Sequence, residues 1–208
     1  MQFDPFGGPG IGVDPMIIPK IMAAVFVLAP LLLIVAWFVS TYNRLVRLRN
    51  TIAESWADVD TELRRRYDLI PNLVSAVKGY ATHERSVFDS VTEARAKAIA
   101  SQGNPQEQSQ DENELVHSLR QLFAVSEAYP ELKADKNFLQ LQQELVNTED
   151  RIQAARRFFN GNVRELNNLI QGFPSNIVAG LFGFSIKDYF QIEDLAVKLP
   201  EVAFGQPK

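Results

Sequence analysis

The chain has 208 residues, no cysteine, two histidines and a net charge of −4. That composition excludes disulfides, thiolate metal sites and cysteine nucleophiles, and it argues against the basic face of a nucleic-acid binder. The length leaves room for one soluble domain with its own core besides a membrane anchor.

Residues 1–16 are rich in Gly, Pro and Asp and read as a disordered tail. Residues 21–39 are nineteen consecutive apolar or near-apolar positions. At ~1.5 Å per residue they span roughly 28 Å, about the thickness of a bilayer's hydrocarbon core. A cleaved signal peptide fits poorly: the core is too long, the flank carries Asp4 and Asp14 with Lys20 as its only base, and Val39-Ser40-Thr41 makes a poor cleavage site. Residues 17–41 are therefore expected to form a retained, single-pass transmembrane anchor in the plasma membrane. Arg44, Arg47 and Arg49 follow it closely, so the positive-inside rule puts the N-terminus outside and the C-terminal domain in the cytoplasm. Trp37 and Tyr42 fall where an aromatic interface belt would lie, and each of the three arginines gains about 1 kcal/mol beside anionic headgroups. Pro30, in mid-span, is expected to kink the helix.

Helical periodicity continues past the anchor. Leu45, Leu48, Ile52, Trp56, Val59, Leu63, Tyr67 and Ile70 recur at steps of three and four. Pro71 predicts a kink or short break near Ile70. A second stripe runs Leu73, Val77, Tyr80, Val87, Val91, Ala94 and Ala98, and ends in the loop residues Ser101-Gln102-Gly103-Asn104-Pro105. Leu115, Leu119, Leu122 and Val125 mark a third helix, and Tyr129-Pro130-Glu131-Leu132 predicts a tight irregular connection. The fourth and longest stripe runs from Phe138 to Leu169 with heptad-like spacing. No strand series is evident. The expected fold is all-α: a transmembrane helix, then an antiparallel four-helix-type bundle of long helices over residues 42–172. Residues 173–208 follow as an apolar segment and an extended tail containing Pro200 and Pro207. The apolar part, residues 173–184, is too short to span a bilayer and either packs on the bundle end or touches the membrane interface.

The candidate chemistry is sparse. Glu114-x-x-His117 has the spacing used in carboxylate-bridged metal bundles, but His83 has Tyr80 where the second glutamate should stand. Both histidines are explained by a solvated helix surface, so no metal or other cofactor is expected. Arg64, Arg65, Arg66 and Asp68 admit two readings: ordinary i, i+4 pairing such as Asp60 with Arg64, worth about 0.3–0.5 kcal/mol, or a face that docks an acidic partner. Asn43 and Asn50 are seven residues apart, as are Asn160 and Asn167, and antiparallel helices would let these amides bond across the bundle and fix its register. No nucleophile elbow, phosphate-binding glycine loop or catalytic carboxylate pair is present.

Several separated motifs resemble one family. Residues 42–50 (YNRLVRLRN), residues 63–74 (LRRRYDLIPNLV), Val77-Lys78-Gly79-Tyr80, Phe158-Phe159-Asn160 with Val163, and Phe173-Pro174-Ser175-Asn176 look like the LemA family of bacterial membrane proteins, in that family's order. The resemblance implies a single-pass anchor bearing an antiparallel helical bundle, without enzymatic activity. It also suggests a protein partner in or at the membrane, such as a membrane protease or a sensor.

Three functions follow as expectations. The first is a non-enzymatic scaffold or adaptor, held at the lipid bilayer and presenting its bundle to a protein partner or to a second copy of itself. The second is a protein that organises lipid at the membrane surface. The third, a metal-dependent carboxylate-bundle enzyme, lacks its ligands in the sequence.

Overall fold

A computed structural model describes residues 17–101 and 104–195. All regular structure among them is helical: α1 (Ile17–Lys78), α2 (Arg85–Ala100), α3 (Pro105–Glu127), the short α4 (Pro130–Lys133), α5 (Lys136–Gln171) and α6 (Ser175–Leu181). The all-α fold read from the periodicity is the fold the chain adopts. The tail expected to be disordered and the stretch with Pro200 and Pro207 lie outside the described residues.

The chain divides after Arg44 into two compact units. In the first, apolar side chains of α1 are exposed on every side of the helix, as consecutive Val25, Phe26, Val27 and Leu28 show. No part of its most apolar stretch is buried. By length and composition this segment is able to cross a membrane.

The second unit is built from the remainder of α1 with α2, α3 and α5. Leu45, Leu48, Ile52, Val59, Leu63, Ile70, Leu73 and Val77 bury one stripe of α1, and Leu115, Leu119, Leu122, Leu145, Ile152, Phe159 and Val163 meet it from α3 and α5. α5 runs antiparallel to α1. Trp56 packs 5.1 Å from Phe159 between ring centroids, Glu62 is 3.9 Å from Arg151, and the Tyr80 hydroxyl is 3.3 Å from Asp135. Helix ends follow ordinary capping: Asn104 accepts from the Gln106 N–H with Pro105 at the first helical position, and Asp135 accepts from the Phe138 N–H.

Three local expectations are corrected. Of the kink or short break expected near Ile70, the break does not occur: α1 continues through Pro71 to Lys78. A helical proline orphans the carbonyl four residues before it, here that of Tyr67. Arg95 of α2 donates to that oxygen from Nε at 2.7 Å, so a neighbouring helix supplies the bond that the proline removes. In consequence Leu73 and Val77 belong to α1, and the second bundle helix starts only at Arg85. The connection at Pro130 is not irregular but forms the single helical turn α4, with Leu132 fully buried.

The chain leaves α5 at Gly172, where a Cβ would sit 2.8 Å from the Asn168 carbonyl oxygen, so only glycine fits this turn. Past α6, residues 184–195 lack regular secondary structure and lie as a strap along the groove between α3 and α5. Asn160 and Asn167 hold it. Each asparagine donates from Nδ2 to a strap carbonyl and accepts the N–H of the same residue: Asn160 with Phe190 (2.8 and 2.9 Å) and Asn167 with Lys187 (2.9 and 2.8 Å). Seven helical residues rise ~10.5 Å, close to the ~10 Å covered by three extended ones, so the heptad spacing matches a strap running antiparallel to α5. On α3, Ser109 accepts from the Gln191 N–H at 3.0 Å and Asn113 from the Glu193 N–H at 2.7 Å. Phe190 is fully buried, with its ring 5.2 Å from Trp56. The expected register pairing of asparagines across the bundle is thus replaced by backbone recognition. Asn43 and Asn50 are exposed, whereas Asn160 and Asn167 bind the strap.

Candidate functional site

The most unusual group in the bundle is Arg66, whose side chain is completely buried. The heptad pattern puts it there: it lies three residues after Leu63 and four before Ile70, on the stripe that faces the core. Glu112 of α3 and Glu149 of α5 occupy equivalent inward positions, next to Leu115 and Ile152, and both are buried. Nη1 of Arg66 donates to Glu149 at 3.0 and 3.2 Å, and Nη2 donates to Glu112. The Tyr67 hydroxyl donates to the other oxygen of Glu112, and Gln108 Nε2 donates to that oxygen at 2.9 Å and to the Ala98 carbonyl at 3.1 Å. One cation therefore ties α1 to α3 and α5, and Tyr67 with Gln108 extends the network to α2.

The electrostatics follow from burial. Burial opposes the charge on Arg66, but the two flanking carboxylates outweigh it and hold the guanidinium more firmly protonated than usual. Glu149 is pushed above the ordinary carboxylate range, because burial penalises its charge more than the neighbouring guanidinium relieves it. The Tyr67 phenol is likewise pushed well up, by burial and then by the negative charge of Glu112, so it serves as a neutral donor. Two carboxylates share one cation in a low-dielectric interior, an arrangement in which loss of one partner is costly. Arg66 Nε has no hydrogen-bond partner among the described residues.

The four residues singled out as a docking face are divided by this arrangement. Arg64, Arg65 and Asp68 are exposed, and Arg64 Nε pairs with Asp60 at 2.9 Å, the ordinary i, i+4 contact. Arg66 is withdrawn from that face, because its position on the helix turns it into the core. Arg64 and Asp68 line a cleft of about 590 Å³ with Trp56, Asp60, Tyr67 and Gln108. Sequence reasoning missed Glu112 and Glu149. The signal available was a charged residue standing where the apolar stripe required a hydrophobic one.

The remaining candidates lie elsewhere. Trp37 is 40% exposed, Tyr42 is half-buried, and Arg44, Arg47 and Arg49 point outward, Arg49 with its guanidinium 5.6 Å above the Phe184 ring. Glu114 and His117 are both on the surface, and Glu114 pairs with Lys97 at 3.0 Å. His83 is exposed in the turn before α2. Among the described residues no cluster of three or more His, Asp or Glu is arranged to hold a metal.

Residues 55–204 match the LemA family. The chain is also 27% identical to the protein LemA of Metamycoplasma hominis, over 79% of this chain and 77% of that protein. It is 24% identical to the magnetosome protein MamQ of Magnetospirillum gryphiswaldense (82% of this chain, 72% of that one). The same identity holds for magnetosome protein MamQ 2 of Paramagnetospirillum magneticum (76% and 67%). Neither LemA nor magnetosome protein is the name of an enzyme.

Proposed function

This chain belongs to the LemA family, and on that premise we propose that it is a single-pass membrane protein whose helical bundle is a non-enzymatic cytoplasmic scaffold or adaptor for protein partners. One observation carries the reading. An uncovered apolar helical segment precedes a basic collar and a bundle whose buried ion cluster is closed on itself. The exposed apolar residues need lipid around them. The collar of Arg44, Arg47 and Arg49, against Lys20 alone on the other flank, favours the cytoplasm for the bundle. Within the bundle Arg66, Glu112, Glu149 and Tyr67 bond to one another and to Gln108. They act as a lock between helices rather than as groups poised to act on a substrate.

A scaffold of this kind works through what it holds. Affinity purification from native membranes in mild detergent, read by mass spectrometry and particle size, is expected to return a second membrane protein in stoichiometric amount. Recovery of this chain alone, as a large homo-oligomer or as a monomer, would contradict the adaptor role.

A further inference from the structure

The second unit leaves one row of large apolar side chains uncovered. Phe173, Ile177 and Leu181 recur every fourth residue before and through α6, at 83%, 59% and 70% exposure. Val178 and Ala179, on the other side of the same helix, are fully buried and dock it on the bundle. Phe182 and Ile186 extend the row, and residues 173–186 contain no charged side chain. Other exposed hydrophobics of this unit, such as Ile99 and Phe158, stand singly, as on any soluble surface. A contiguous, charge-free row is different, because it marks a surface that meets an apolar phase.

The position of the row says which phase. Phe184 packs beneath the guanidinium of Arg49. Arg49 is the fifth residue of this unit and only the tenth after the apolar run ends at Val39. The row therefore sits at the end of the bundle where α1 enters it, on a short tether to the segment that needs lipid. Arg49 and Lys187 line one hollow with Asp188, so basic groups flank the row as they flank interfacial helices on anionic membranes. With the bilayer this close, its effective concentration at the row exceeds that of any soluble partner.

We infer that Phe173, Ile177, Leu181, Phe182 and Ile186 insert into the headgroup–acyl boundary of the leaflet next to the arginine collar, giving the protein a second, monotopic membrane contact. This rests on the anchor reading above. The contact fixes the bundle against the membrane instead of leaving it free on its stalk, and it sets which bundle faces remain available to partners.

The absence of cysteine allows a background-free test on the full chain. An environment-sensitive fluorophore is attached at Leu181→Cys, Leu33→Cys or Ser90→Cys, and each protein is reconstituted into phosphatidylcholine–phosphatidylglycerol vesicles containing nitroxide-labelled lipids. The expected result is a blue-shifted emission at position 181 that shallow nitroxides quench most, quenching at position 33 by deep nitroxides, and neither change at position 90. Quenching at 33 without quenching at 181 overturns the inference and leaves the anchor standing. If emission at 181 is then still blue-shifted, its cover is protein, a second copy of the chain. No quenching at 33 overturns the anchor reading itself, and the interfacial contact with it.

Discussion

Residues 21–39 and residues 45–77 are both helical and both rich in Leu, Ile and Val, yet they are covered in opposite ways. The first stretch shows its side chains on every side and buries none of its most apolar part. The second buries a single stripe and turns Glu54, Asp58, Arg64 and Asp68 to solvent. The amount of apolar surface does not distinguish them so much as its distribution around the helix. An all-round apolar helix asks for lipid, and a one-sided helix asks for other helices. The bundle stripe also tolerates an ion, provided its partners arrive from neighbouring helices. Residues 21–39 carry no ion.

Replacing Arg66 breaks that distinction at its most sensitive point. In Arg66→Met two carboxylates are left buried without their cation, and the bundle is expected to lose about 3–5 kcal/mol, read as a large drop in Tm in detergent. A Tm within a degree or two of wild type would show that the network is not what joins the helices. A charge placed in the other stretch has a different readout. Leu32→Arg is expected to oppose membrane insertion by about 2.5–3.5 kcal/mol, raising the fraction released by carbonate extraction while the bundle's Tm stays unchanged. Asn160→Ala removes both bonds to Phe190, and at about 1–3 kcal/mol it is expected to loosen the strap. Limited proteolysis should then cut near Tyr189 before the helices are attacked.

The charge of Glu149 sharpens the comparison further. Its folded-state pKa is raised by burial, so the folded chain holds this proton more tightly than the unfolded one. The contribution to stability is full below the ordinary glutamate pKa and is lost as pH rises through the raised value. The Tm of the native protein minus that of Glu149→Gln should therefore grow more positive on going from pH 7 toward pH 4.5. A difference that shrinks instead would mean that Arg66 outweighs burial. The smallest effect is expected at Arg64→Ala, where an exposed i, i+4 pair is worth about 0.3–0.5 kcal/mol, and Tm should barely move.

The helices of the bundle and the apolar span were legible in the sequence because both are local, periodic signals. The corrections at Pro71 and at the asparagines come from contacts remote in sequence. Pro71 signals a break on its own; the donor that cancels it, Arg95, is on another helix. Asn160 and Asn167 stood out by their spacing, but their partners are backbone groups of a segment with no periodicity of its own. Arg64, Arg65 and Arg66 are consecutive, and helical phase separates the two that face water from the one whose carboxylate partners, Glu112 and Glu149, lie on other helices. The charge-free apolar run of residues 173–184 is legible in the sequence, with bundle-end packing and membrane contact both open to it. Only the burial of Val178 and Ala179 reveals which side of α6 is left over.

The account's central claim is a membrane-spanning anchor with the bundle on the cytoplasmic side. Because the chain lacks cysteine, the most direct test is labelling of Gln2→Cys and Ser90→Cys by a membrane-impermeant maleimide, in intact and in permeabilised cells. The account predicts that position 2 reacts in intact cells and that position 90 reacts only after permeabilisation. Labelling of position 90 in intact cells would contradict it.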